Sequence, residues 1–157
     1  MTVEAIRAGA RDAATRYQCL VLVVGGNGEE AANLVERACS SEGWGLVNVG
    51  LALSERLLEL SKRQRALRAS RILEDLASAE APDVVALTNL ELLFAAELEL
   101  DPLRLLQKVS RHRTVIAGWP GHVDGDAIAY AEPGHPEYRR YCAPDAVVVQ
   151  AASVIPK

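Results

Sequence analysis

Apolar residues recur along the chain with two different spacings, and the alternation between them divides it into strands and helices. "CLVLVVG" (19–25), "LVNVG" (46–50), "DVVALTN" (83–89), "TVIAGW" (114–119) and "AVVVQAA" (146–152) are short apolar runs rich in β-branched residues. Runs of that kind are expected for strands buried on both faces. Between them lie helical patterns. An alanine-rich helix is predicted over 3–17, opened by Thr2, and a second from Glu29 to about Ser40, broken by "EGWG" (42–45). A long third helix is expected to be capped by Ser54, with Leu53, Leu57, Leu60 and Leu67 along one side, and Pro82 ends that region. "LELLFAAELEL" reads as a short helix. Asp101-Pro102 starts another over "PLRLLQKVS", with an Asp cap and Pro in the first turn. "DGDAIAYAEPGHPEYRRYCAPD" reads as a turn, a short strand and a polar loop.

Strands alternating with helices predict an α/β fold with a mainly parallel five-stranded sheet flanked by helices. Ligands of such sheets bind beyond the carboxyl ends of the strands. A length of 157 residues suits one domain over 1–157. Aromatic residues make up only 4%, so the core is expected to be built from Leu, Val, Ala and Ile. A net charge of −4 gives no overall pull toward nucleic acid or anionic membranes. No apolar run approaches the roughly 20 residues needed to span a bilayer, and the charged N-terminus lacks a secretory core. Cys19, Cys39 and Cys142 are odd in number and widely spaced. They are expected to pack as small apolar residues in a reduced, cytoplasmic protein.

The turn after the first strand, "VVGGNGEEAANL", bears on function most directly. As a dinucleotide fingerprint, Gly26, Gly28 and Ala31 satisfy GxGxxA, but the second strand ends Asn48-Val49-Gly50 without the acid that would hold a ribose. As a phosphate loop, GxxxxGK[ST] falls on Gly25, Gly26, Asn27, Gly28, Glu29, Glu30, Ala31 and Ala32. Glu30 replaces the second glycine, Ala31 the lysine and Ala32 the magnesium-holding hydroxyl. A carboxylate about 4 Å from a phosphate charge costs about 1–4 kcal/mol, a large part of the roughly 8 kcal/mol that micromolar binding represents. The third strand agrees: "VVALTN" puts Thr88 where a Walker B aspartate would hold magnesium and Asn89 where a catalytic glutamate often stands, with Glu91 nearby. These residues predict a P-loop NTPase-like domain of RecA/ASCE type that lacks the reaction, so no cofactor is expected. ATP and magnesium belong to the alternative reading, a weak ATPase.

"TNLELLF", "DPLRLLQKVSRHRTVIAGWPG" and "YAEPGHPEYRRY", following the glycine turn, resemble the small P-loop protein BrxF of type 3 BREX phage-defence systems. The likeness runs from about residue 19 to 141 and is closest over 88–141. It implies a cytoplasmic bacterial protein working beside a large ATPase, a DNA adenine methyltransferase and a PglZ-like phosphatase-fold protein. Members of the family carry the GK[ST] ending and an Asp-Asn after the third strand; this chain departs at Glu30, Ala31, Ala32 and Thr88.

Lys62, Arg63, Arg65, Arg68 and Arg71 form a basic run, expected to spread over the helix side opposite the leucines. A solvated helix face is its bland explanation, and a DNA-contacting adaptor through residues 61–71 is the sharper one. Tyr138, Arg139, Arg140 and Tyr141 are candidate partner-binding residues, the types that dominate binding hot spots. His122, Asp124, Asp126 and His135 lie in a Gly- and Pro-rich stretch that turn chemistry explains as well as a metal would; no metal is expected. Trp119 either fills an empty γ-phosphate pocket or packs in the core. The reading reached is a non-catalytic assembly or regulatory subunit of a BREX complex, whose partners are the other BREX proteins, with self-association also compatible.

Overall fold

The computed structural model describes residues 3–25, 29–80 and 83–150. Five strands form a parallel sheet: β1 (Leu20–Val24), β2 (Gly45–Asn48), β3 (Val84–Thr88), β4 (Thr114–Trp119) and β8 (Val147–Gln150), in the order β2-β3-β4-β1-β8. Side-chain alternation on the central strands supplies two separate cores. Leu20, Leu22 and Val24 of β1, with Val115, Ala117 and Trp119 of β4, face one layer; Val21, Val23 and Ile116 face the other. Helices α1 (Val3–Ala13) and α2 (Glu29–Glu42) cover the second layer. Helices α3 (Val49–Leu57), α4 (Lys62–Glu80) and α5 (Pro102–Val109) cover the first. The expected α/β architecture with a five-stranded parallel sheet is therefore present. No helix among the described residues is long and apolar enough to cross a membrane.

Several local expectations need correction. The first helix stops at Ala13, and Thr15 Oγ1 donates to the Asp12 carbonyl at 2.9 Å in the turn that follows; Thr2 lies outside the described residues. The second strand ends at Asn48, which caps α3 by accepting from the Leu51 N–H at 3.1 Å, so strand passes directly into helix. Ser54 is inside that helix, donating to the Leu51 carbonyl. The long third helix is two. Ser61 Oγ accepts from the Gln64 N–H while Gln64 Oε1 accepts from the Ser61 N–H. This reciprocal capping box starts α4 afresh. Arg65 Nε donates to the Leu57 and Leu60 carbonyls at the end of α3, satisfying acceptors that a helix terminus leaves open. Leu53 and Leu57 are buried, but Leu67 is 73% exposed, on the same side of α4 as Arg63 and Arg71. "LELLFAAELEL" forms two 3₁₀ turns, Leu90–Phe94 and Ala96–Leu98, rather than an α-helix. The Asp101 cap is present as expected, its carboxylate accepting from the Arg104 N–H with Pro102 in the first turn.

The largest departure lies between β4 and β8. Instead of one short strand and a loop, β5 (His122–Asp124), β6 (Ala127–Tyr130) and β7 (Arg139–Cys142) form an antiparallel sheet. An aromatic cluster joins it to the parallel sheet. Phe94 stacks on Tyr130 at 3.9 Å and meets Trp119 edge-on at 5.3 Å, and Trp119 meets Tyr141 edge-on at 5.9 Å. Trp119 is fully buried and its Nε1 donates to the Ala129 carbonyl at 3.1 Å. That carbonyl leaves no room at Gly121, where an added Cβ would fall 1.7 Å from it.

Gly121→Ala should therefore lower stability by about 3 kcal/mol or more, above the usual overpacking range because backbone must move. Gly118→Ala, whose Cβ would meet only ordinary contacts at 3.7 Å, should change it little. Thermal melts of the two variants check the contrast.

Candidate functional site

Strands β1 and β4 are neighbours, yet their continuations leave the sheet in opposite directions. From β1 the chain enters α2 on one layer; from β4 it enters the small sheet, which packs on the other. In α/β sheets a divergence of this kind marks where a ligand crevice is expected, beyond the carboxyl ends of the strands. Around that position stand the α2 N-terminus and, at the strand ends, Thr88 of β3 and Gly118 and Trp119 of β4, all three buried.

Gly25 has φ 142°, a conformation that suits glycine, and leads into 26–28; Gly26, Asn27 and Gly28 lie outside the described residues. Glu29 and Glu30 form the exposed first turn of α2. Carboxylates there complement the helix dipole by about 0.3–1 kcal/mol each, occupying the electrostatic role a bound phosphate would have. Ala31 has no exposed surface and belongs to the core with Val23 and Leu34. The lysine whose place Ala31 takes in the phosphate-loop alignment would face a ligand; Ala31 faces the core instead. Ala32 is half-buried, and its backbone lies 3.7 Å from where a Cβ on Gly118 would stand. Helix and strand approach closely here.

Thr88 is 1% exposed, and its Oγ1 has no hydrogen-bond partner among the described residues. Asn89, with φ 57° and ψ 59°, turns the chain sharply into the 3₁₀ segment, and Glu91 is exposed. Trp119 belongs to the aromatic cluster, with its one polar atom used by Ala129. Of the residues named here Glu29 and Glu30 are exposed, while Ala31, Thr88 and Trp119 are buried.

The candidate partner residues separate on inspection. Tyr141 is half-buried and donates to Asp101 Oδ1 at 2.8 Å, the carboxylate that also caps α5. Burial, then the Asp101 hydrogen bond and charge, push the Tyr141 hydroxyl up to about 12. Arg139 Nη2 donates to the Leu100 carbonyl at 2.7 Å. Both therefore hold the small sheet against the start of α5. Arg140 is exposed, pairing with Asp124 at 3.2 Å and lying 3.0 Å from Cys142 Sγ; Tyr138 is half-buried. Cys39 is buried and its thiol is pushed up to about 11 by desolvation, then by Glu36. Cys142 is exposed, contrary to the expectation that all three cysteines pack inside.

The basic run also separates. Arg65 is spent on carbonyls, and Arg71 pairs with Asp75 at 3.4 Å, leaving Lys62, Arg63 and Arg68 exposed without an ion pair among the described residues. His135 Nδ1 accepts from the Glu137 N–H at 3.0 Å. Among the described residues no three His, Cys, Asp or Glu side chains gather as a metal-holding group. Sequence reading missed the Asp101–Tyr141 and Arg139–Leu100 bonds, which span about forty residues and leave no local signal. No family model, curated protein or solved structure gives a significant match to the chain.

Two outcomes are expected. Ala31→Lys should destabilise the fold by roughly 2 kcal/mol or more, since an ammonium would enter an apolar core; chemical denaturation measures it. Tyr141 binds its proton more tightly folded than unfolded, so its contribution is complete below the ordinary value of 10.0 and is lost as pH rises toward about 12. Tyr141→Phe should flatten the fall in stability across that window, seen as a shallower slope of melting temperature against pH.

Proposed function

We propose that the chain is a non-catalytic subunit, with an assembly or regulatory role, of a BREX-type anti-phage defence complex in the bacterial cytoplasm. On this reading it has the architecture of a P-loop NTPase-like domain and none of its reaction. Support for the architecture comes from the parallel sheet with β1 between β4 and β8, and from the glycine-rich sequence that joins β1 to α2. Support for the setting comes from the segments over 88–141 that resemble BrxF.

One observation carries the non-catalytic part. Where magnesium and phosphate ligands would stand, the chain has Glu29 and Glu30 exposed on the first turn of α2, Ala31 in the core, and Thr88 buried with a neutral hydroxyl. Phosphoryl transfer depends on positioned cations around the developing charge. These side chains supply none, and the two carboxylates repel phosphate. The weak-ATPase alternative would need other residues to provide that charge.

Calorimetry with Mg-ATP is expected to give no saturable heat up to millimolar nucleotide; heat that saturates and disappears when magnesium is removed would overturn the non-catalytic reading. The setting is checked separately by affinity capture from cells carrying a complete type 3 BREX system. Co-purification of the large ATPase or the PglZ-like protein is expected, and recovery of neither would remove the assembly role.

A further inference from the structure

An open groove of about 690 Å³ runs between α4 and the second 3₁₀ turn. Lys62 and Arg63 line it from α4, Glu97 and Glu99 from the 3₁₀ segment, with Leu67 and two alanines between them. Among the described residues, neither base lies within ion-pairing distance of an acid, nor either acid within reach of a base. The groove therefore carries two unpaired cations and two unpaired carboxylates around an apolar strip. Leu67 is 73% exposed, and Leu58 (74%) and Leu51 (59%) precede it. Three of the six large apolar residues exposed among those described thus fall within one short stretch. Of these three, Leu67 lines the groove itself and gives it an exposed apolar centre.

The charge arrangement selects the partner. A nucleic acid drawn to Lys62 and Arg63 would bring phosphates against Glu97 and Glu99. A uniformly basic protein surface would meet the opposite conflict. Like charges brought together in an interface cost affinity for the wrong partner. A surface with a basic wall, an apolar centre and an acidic wall is complementary to itself when rotated by a two-fold axis. In an isologous contact each residue i that touches j is matched by j touching i.

We propose that this groove is the interface of a two-fold homodimer. The α4 helix of one copy, bearing Leu67, seats in the groove of the other. Lys62 and Arg63 of each copy then meet Glu97 and Glu99 of the other, and the two Leu67 side chains lie near the axis. Neither Thr88 nor the α2 N-terminus lines this groove, so the dimer holds whether or not nucleotide binds the crevice.

Sedimentation velocity over a concentration series tests the proposal with four variants of the whole chain. Wild type should show a concentration-dependent dimer. Lys62→Glu with Arg63→Glu, and separately Glu97→Lys with Glu99→Lys, should each weaken self-association at least about tenfold. All four positions are exposed, and circular dichroism should show both variants folded. Mixing the two charge-reversed variants should restore a dimer, because each wall again meets its opposite. Adding Leu67→Asp to both should abolish it, which excludes attraction by net charge alone. A wild type that stays monomeric at every concentration would overturn the proposal. So would dimers that survive either reversal, or a mixture that fails to associate or that associates despite Leu67→Asp.

Discussion

The pairing of β1 with β4 at the middle of the parallel sheet is the constraint from which the rest of the structure follows. Both strands are buried on both faces, so all eleven residues from Leu20–Val24 and Thr114–Trp119 lie inside. A strand placed there needs a layer on each side, because its side chains alternate between them. That requirement puts α1 and α2 on one face and α3, α4 and α5 on the other. It also leaves no place within the sheet for ionisable chemistry, which is displaced to the strand ends and to the outer faces of the helices.

At the carboxyl ends the displacement takes an unusual form. A helix N-terminus following β1 suits an anion, yet the first turn of α2 brings its own carboxylates. The β3 end carries a buried hydroxyl without a partner among the described residues. Architecture and side chains therefore disagree here, and the side chains decide what chemistry is available. Meanwhile the aromatic cluster of Phe94, Trp119, Tyr130 and Tyr141 fastens the small sheet over the β4 exit. Edge-on and stacked aromatic pairs add about 0.5–1.5 kcal/mol each beyond their buried area. A sequence so poor in aromatics has placed a majority of them at one junction.

Polar bonds across that junction change how its conspicuous residues are understood. Tyr141 and Arg139 have the composition of a hot spot, but their polar atoms reach Asp101 and the Leu100 carbonyl. They lock β7 to the start of α5. Arg140 and Tyr138 are what the same segment offers outward. A comparable division runs through the basic stretch, where Arg65 completes the end of α3 while Lys62 and Arg63 line an open groove.

Strand positions were legible because a doubly buried strand must be apolar at every residue, and that pattern appears in "LVLVV" and "TVIAGW" without reference to any neighbour. The Asp101 cap was legible for a similar reason: its partner is the N–H three residues on. The break between α3 and α4 was also present locally, as the Ser61-to-Gln64 capping box, but leucine periodicity through the region masked it. Other features had no local trace. Whether Leu67 faces core or solvent depends on how α4 rotates against the sheet, and helical spacing alone allowed the wrong side. Burial of Ala31 follows from the close approach of α2 to Gly118, eighty-odd residues away. The three-stranded sheet exists because Trp119, Phe94 and Tyr141 meet in space. The sequence by itself determined which segments form the parallel sheet and that Ala31 and Ala32 stand where a phosphate loop carries Lys and Ser or Thr; tertiary structure alone decided that β2 and β8 are half-exposed edge strands, which charges are consumed by the fold and which remain facing outward, because that depends on how distant segments meet, which no local pattern encodes.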